Sequence, residues 1–279
     1  MKLVSNRYGK KRVRVLKILR EGPRHVVKEL TVGCLLRGAF DASYTAADNR
    51  SIVPTDTIKN TVTVVAHQQL GREAERFGVV LGKHFLARHS QVDQVELDLR
   101  ERVWNRQTTD GEPHTHAFRA GAGTPFARVT IARGAPDEIE SGIDDLLIMK
   151  STGSGFSDFA TCELTTLAPT SDRILATTLR AGWSWTRPPA DYNEANELIL
   201  EAMLRVFAVD FSVSVQATAC SMAAAAFAAC PDIRRVSLAL PNKHFLLANL
   251  KPFKLENPNV TFVPTDEPHG QIEAVFDRD

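Results

Sequence analysis

The sequence predicts an α+β fold of two tandem units, each in the order strand, strand, helix, helix, strand, strand, with an antiparallel sheet carrying its helices on one face. Three observations predict it. Short runs of alternating apolar and β-branched residues are separated by longer stretches in which apolar residues recur every three or four positions. The spacing Val92, Val95, Leu97, Leu99 returns as Ile233, Val236, Leu238, Leu240. Leu36-Arg37-Gly38 returns as Leu179-Arg180-Ala181-Gly182. Two matches at nearly one offset predict an internal duplication, with units over residues 1–135 and 136–279 divided at Gly134-Ala135-Pro136.

Each element has its own signal. Arg12 to Leu19 and Val26 to Leu36 read as a β-hairpin around Glu21-Gly22-Pro23. Pro54 biases Val53 towards an extended backbone and Thr55 or Asp56 can cap a helix, so a helix over Asp56 to Gln69 is expected, with Ile58, Val62, Val65 and Ala66 on its inner face. A second helix follows from Arg72 to His89, then a strand from Val92 to Leu99 whose alternate residues Asp93, Gln94, Glu96 and Asp98 face water. His116 to Arg119 and Phe126 to Arg133 read as a hairpin through Gly121-Ala122-Gly123, because a phosphate-cradling glycine loop opens a helix rather than a strand. In the second unit, Ile143 to Met149 and Arg173 to Trp185 make an extended pair closed by Pro188-Pro189. Helices over Asn193 to Val209 and Val213 to Cys230 follow, and then the strand at Ile233. A sheet with one covered face has open edges, which predicts oligomerisation and sheets joined around an opening.

Composition narrows the function. At 279 residues and 43 % hydrophobic, the chain can bury real cores. Its 34 basic against 33 acidic residues give no reason to expect nucleic acid or an acidic membrane surface. Cys34, Cys162, Cys220 and Cys230 lack CxxC spacing and read as reduced, mostly buried thiols. The basic opening without an apolar run, the lack of a spanning stretch and the Asp277-Arg278-Asp279 end lead to an expectation of a cytoplasmic protein. His114 and His116 face the same side of an extended segment but have only Glu112 nearby, so no metal is expected there. Cys220 and Cys230 lie in apolar helical surroundings that disfavour a thiolate.

Five short polar segments stand where strands end or helices begin, the places at which a scaffold presents functional groups. They are Tyr8-Gly9-Lys10, Thr55 to Thr61, Lys150 to Phe156 with Asp172-Arg173, Ser214-Val215-Gln216-Ala217-Thr218, and Pro241-Asn242-Lys243-His244-Phe245. An aromatic ring, a guanidinium and a carboxamide suit a planar heterocycle edged with N–H and C=O groups. Lys, Thr and His suit proton transfer.

These segments, in this order, resemble the urate oxidase (uricase) family from about Tyr8 to Phe245; Thr-Asp-Thr-Ile-Lys-Asn-Thr, Ser-Val-Gln-Ala-Thr and Pro-Asn-Lys-His are the specific motifs. The resemblance implies the tunnelling fold (T-fold) and a homotetramer around a tunnel. It also implies oxidation of urate by dioxygen and water to 5-hydroxyisourate and hydrogen peroxide, with neither metal nor organic cofactor. By resemblance, Lys10, Thr55 and His244 are the proton-transfer triad. Phe156 stacks on the purine, Arg173 and Gln216 clamp its edge, Val215 and Asn242 contribute from the same subunit, and Thr55 and Asp56 reach in from a neighbour. Cys220 and Ser157-Asp158-Phe159 depart from the residues many members carry. The competing readings are a T-fold enzyme acting on a pterin or guanine nucleotide, which would anchor its ring through a Glu, and an oligomeric purine-binding protein without turnover.

Overall fold

The structure, a computed structural model, describes residues 1–20 and 22–278, so Glu21 of the expected first turn lies outside the described residues. The chain divides into two compact units. One comprises Met1–Ile143 with Trp183–Glu194, the other Asp144–Gly182 with Ala195–Asp279.

In the first unit, β1 (Tyr8–Leu19) pairs antiparallel with β2 (Val26–Gly38), β2 with β3 (Val92–Arg102), and β3 with β6 (Thr124–Ala132). A five-residue α1 (Asp41–Thr45) precedes α2 (Thr55–Gln69) and α3 (Ala74–Arg88). Helix α2 packs on β1 and α3 on β3 and β6. The predicted inner face of α2, Ile58, Val62, Val65 and Ala66, is buried, as are Val92, Val95, Leu97 and Leu99 of β3. Two glycines one turn apart bring α3 against the sheet. A Cβ on Gly78 would stand 2.7 Å from Val129 Cγ2, and one on Gly82 2.5 Å from Ile131 Cγ1.

The segment between β3 and β6 differs from expectation. His116 to Arg119 belongs to β5 (Glu112–Ala120), which pairs with β4 (Trp104–Thr109) as a separate two-stranded ribbon rather than with β6. Its turn is Asp110-Gly111, with φ of 54° and 83°, a two-residue connection whose left-handed residues match the twist of the strands. Gly121 to Gly123 then only returns the chain to β6, with Gly121 N–H donating to Val103 O.

The plan repeats further along the chain. Strand β7 (Glu138–Lys150) neighbours β8 (Leu175–Trp185), β8 neighbours β9 (Ile233–Ala239), and β9 pairs antiparallel with β12 (Glu273–Asp277). Helices α4 (Tyr192–Val209) and α5 (Val215–Ala229) stand between β8 and β9 in sequence. A ribbon of β10 (Asn242–Leu247) and β11 (Phe262–Gly270) is inserted between β9 and β12, the place that β4 and β5 occupy in the first unit, and β10 also pairs with β8.

One interaction recurs in both units. The Arg133 guanidinium donates to the carbonyls of Leu86, His89 and Val92, binding the end of α3 to the start of β3. Arg278 does the same for α5 and β9, donating to Phe227, Cys230 and Ile233. Cationic donors on the last carbonyls of a helix satisfy its unpaired acceptors and its dipole together.

Candidate active site

Lys10, Thr55 and Asp56 lie in the first unit. Gly9 determines how Lys10 is placed: a Cβ there would be 1.9 Å from Cys34 O, so β1 and β2 approach at this point as only glycine allows. Immediately afterwards the β1–β2 register slips between Lys10 and Val13, and Arg12 takes φ 61°. Such a bulge re-aims the side chains beside it. Tyr8 is tied to the segment before α2, donating to Val53 O and accepting from Val53 N–H. Lys10 is thereby brought within electrostatic reach of Asp56, whose carboxyl is held below its ordinary value first by hydrogen bonding to Lys59 and also by Lys59, Asn60 and Lys10 around it.

The start of α2 departs from the expected capping. The cap position is Pro54, with no side-chain cap, and Thr55 and Asp56 are already helical. Pro54 O accepts the first helical bond, from Ile58. The Thr55 hydroxyl is therefore not engaged as a cap, and the exposed Thr55 is open to a ligand. Asp56 bonds instead along its own helix to Lys59 and Asn60.

The second unit gathers Phe156, Arg173, Val215 and Gln216. The Arg173 guanidinium carbon stands 5.3 Å from the Phe156 ring centroid, a cation–π arrangement. Partial burial lowers the Arg173 pKa from its usual value. Backbone pairing holds the segment from both sides. Phe156 N–H donates to Thr170 O at 2.7 Å and Arg173 N–H to Ser154 O at 2.9 Å. On the other side Gly155 N–H donates to Ser212 O and Ser212 N–H to Gly153 O. Ser212 leads directly to Ser214, which caps α5 by accepting from Ala217 N–H at 3.1 Å. Val215 is buried and Gln216 exposed at that first turn. Asn242 pairs with Thr177 of β8, and the β10–β11 register slips between Asn242 and His244, a second bulge at a candidate residue. His244 is partly exposed, and its carbonyl accepts from the Thr265 hydroxyl.

The sequence marks Phe159 only as a departure from the residues many family members carry. Its ring stacks on Phe156 with centroids 5.0 Å apart and planes 15° apart, so it belongs to the aromatic floor. The corresponding corner of the first unit is built differently. Gln216, at the start of α5, corresponds to Glu75 at the start of α3, which is buried and accepts from Ser141 Oγ at 2.6 Å, while Trp185 donates to that same hydroxyl. This corner is built into a core.

Other expectations change. Cys34 and Cys230 are buried, whereas Cys162 and Cys220 are exposed, Cys220 on the outer side of α5. His114 and His116 lie 4.6 Å apart, ring to ring, in strand β5. Among the described residues no group of three or more His, Cys, Asp or Glu side chains is arranged to hold a metal ion.

Duplicated strands and helix pairs define a T-fold protein, in which a guanidinium stands over an aromatic ring on a segment bonded to the residues before a capped helix start. The chain belongs to the uricase family, whose model, described as Uricase, matches residues 6–130 and 139–273. It is 40 % identical over 280 residues to the uricase of Dictyostelium discoideum, covering 99 % of this chain and 97 % of that one. To the uricase of Cyberlindnera jadinii it is 39 % identical, with coverage of 99 % and 97 %. The crystal structure of uricase from Arthrobacter globiformis superposes with a TM-score of 0.94 at 36 % identity, over 100 % of this chain and 96 % of that chain.

Proposed function

We propose that this protein is a urate oxidase, converting urate, dioxygen and water to 5-hydroxyisourate and hydrogen peroxide. One observation carries the reading: in a chain of the uricase family, Arg173 stands over the Phe156 ring on a segment stitched to the start of α5, where Gln216 lies. Arg173 and the Gln216 carboxamide present donors to the oxygen- and nitrogen-rich edge of the purine, while Phe156 stacks under it and Val215 closes its side.

The chemistry asks little of a cofactor. A urate anion is electron-rich, gives up two electrons to dioxygen and is left open to attack by water, while the reduced oxygen takes two protons and leaves as peroxide. The protein has to hold the anion, move protons and place the oxygen species. Lys10 accepts a proton through the Thr55 hydroxyl, His244 orients the attacking water, and Asn242 lies over the ring where dioxygen and then water bind. No metal or organic cofactor enters this scheme.

Lys10, Thr55 and Asp56 act on a neighbouring subunit's Phe156, Arg173 and Gln216, in a homotetramer whose sheets join around a tunnel. The uncapped, exposed start of α2 supports this reading, since it leaves the Thr55 hydroxyl available. The halves 1–135 and 136–279 are copies of one ancestral unit, in keeping with the repeated arginine clamp and the repeated ribbon insertion. The protein works in the cytoplasm. The purified chain should bleach urate in air with formation of peroxide, and a chelator should leave the rate unchanged. Urate that stays intact would refute the assignment, and bleaching abolished by chelation would refute the cofactor-free scheme.

A further inference from the structure

Three buried hydroxyls stand beside the clamp without belonging to it. Ser154, Ser212 and Thr218 are 0 %, 3 % and 6 % exposed. Ser154 Oγ lies 3.4 Å from Arg173 Nε and accepts its hydrogen, while the Ser154 carbonyl accepts from the Arg173 backbone N–H. The backbones of Ser154 and Ser212 form a parallel bridge. From Ser212 the connection continues into α5: the Thr218 hydroxyl is 2.8 Å from Ser212 Oγ and 2.9 Å from the carbonyl of the cap residue Ser214.

A buried hydroxyl is costly unless paired, so three of them in one place need a structural or functional reason. Here each is paired, and the pairing ties together two things that are distant in sequence: the guanidinium of Arg173 and the first turn of α5, which presents Val215 and Gln216. With Nε engaged by Ser154, the two terminal amino groups are the donors that Arg173 retains for other partners.

We propose that Ser154 is a positioning residue for Arg173, and that Ser154, Ser212 and Thr218 form one buried bracket which fixes the angle and spacing between the Arg173 and Gln216 donors. The bracket sets the affinity for a planar, edge-binding anion without touching it. This rests on the reading of the site as a urate site.

The test is a double-mutant cycle read by titration calorimetry with urate under anaerobic conditions, where no turnover intervenes. Ser154→Ala is expected to weaken urate binding about tenfold, the effect of losing one hydrogen bond to a charged group. On an Arg173→Ala background the same change should alter affinity by less than about twofold, because the group it positions is gone. A packing role for Ser154 would instead give the same fold-loss in both backgrounds, and that result overturns the proposal, as does wild-type affinity in Ser154→Ala. Should Ser154→Ala not fold, the far end of the bracket decides. Thr218→Val is expected to weaken urate several-fold with Thr218→Ser restoring it, and Thr218→Val binding like wild type overturns the proposal. Absence of urate binding by the wild-type chain would overturn the functional reading itself, a result distinct from any of these.

Discussion

Replacing Gly9 by Ala separates the placement of Lys10 from its chemistry. The added Cβ would lie 1.9 Å from Cys34 O and 2.8 Å from Leu35 Cα, both backbone atoms, so no side chain can rotate away to make room. Strands β1 and β2 must part locally by about 1 Å to restore ordinary contact. The Gly9–Leu35 and Lys10–Cys34 pairs lie at that point and weaken with it. One or two ladder hydrogen bonds and the local misfit together cost about 2–3 kcal/mol. For a chain of this size that is a fall in Tm of roughly 3–5 °C. Catalysis should suffer more than stability. A displacement of about 1 Å in a proton-transfer group lowers turnover on the order of a hundredfold, whereas the second unit's Arg173 and Gln216 keep KM near its original value. Steady-state urate oxidation well below the lowered Tm, with thermal unfolding in parallel, measures both. A Gly9→Ala variant with wild-type kcat and Tm would refute the claim that this close approach places Lys10.

The paired arginine clamps predict paired effects. Arg133→Ala and Arg278→Ala should each cost about 1–2 kcal/mol, with faster amide exchange at the end of α3 in the first and of α5 in the second. Exchange that rises equally in both helices would contradict the local assignment. Acid sensitivity follows from Glu29, whose carboxyl is held below its ordinary 4.5 chiefly by a hydrogen bond from Arg14, and by the Trp104 indole, against the opposing effect of burial. A depressed folded value adds stability above about pH 4.5, and that increment is lost as pH falls through the folded value. Glu29→Gln should therefore be less stable than wild type at neutral pH and converge with it in acid; parallel stability curves would exclude this role. Among the thiols, exposed Cys162 has its pKa lowered by hydrogen bonds from Leu164 N–H and Thr165, whereas burial pushes Cys34 up to about 12. Mild alkylation near pH 8 should label Cys162 before Cys34 or Cys230, as mass spectrometry of peptides would record; early labelling of Cys34 would contradict its burial.

The strands and helices were legible because their periods are strong. Ile58, Val62, Val65 and Ala66 name a helix face, and the spacing shared by Val92 to Leu99 and Ile233 to Leu240 exposes the duplication. What could not be read depends on three-dimensional partners. Asp110-Gly111 is a hairpin signal in its own right, yet the glycine pair at Gly121 and Gly123 suggests a turn between β5 and β6, whereas β5 pairs with β4. The arginine clamps act on backbone carbonyls more than 40 positions away, which no local pattern encodes. Among the candidate residues, Lys10, Arg173, Gln216 and His244 stand out by residue type and motif. The hydroxyls of Ser154, Ser212 and Thr218 did not, because serine and threonine at loop and cap positions are common and only burial distinguishes these. Thr55 was expected as a possible cap, but the helix starts one residue earlier, and that shift leaves its hydroxyl available.

In the proposed assembly, a urate-oxidising site combines the Lys10 and Thr55 of one chain with the Arg173 and Gln216 of another. Mixing two inactive variants, Lys10→Ala and Arg173→Ala, unfolded and refolded together, tests it most directly. If the site is shared between subunits, random assembly creates wild-type sites in about a quarter of positions, and urate oxidation returns to about that fraction of the wild-type rate. If each chain completes its own site, no wild-type site can form, and a co-refolded mixture as inactive as either variant would contradict the claim.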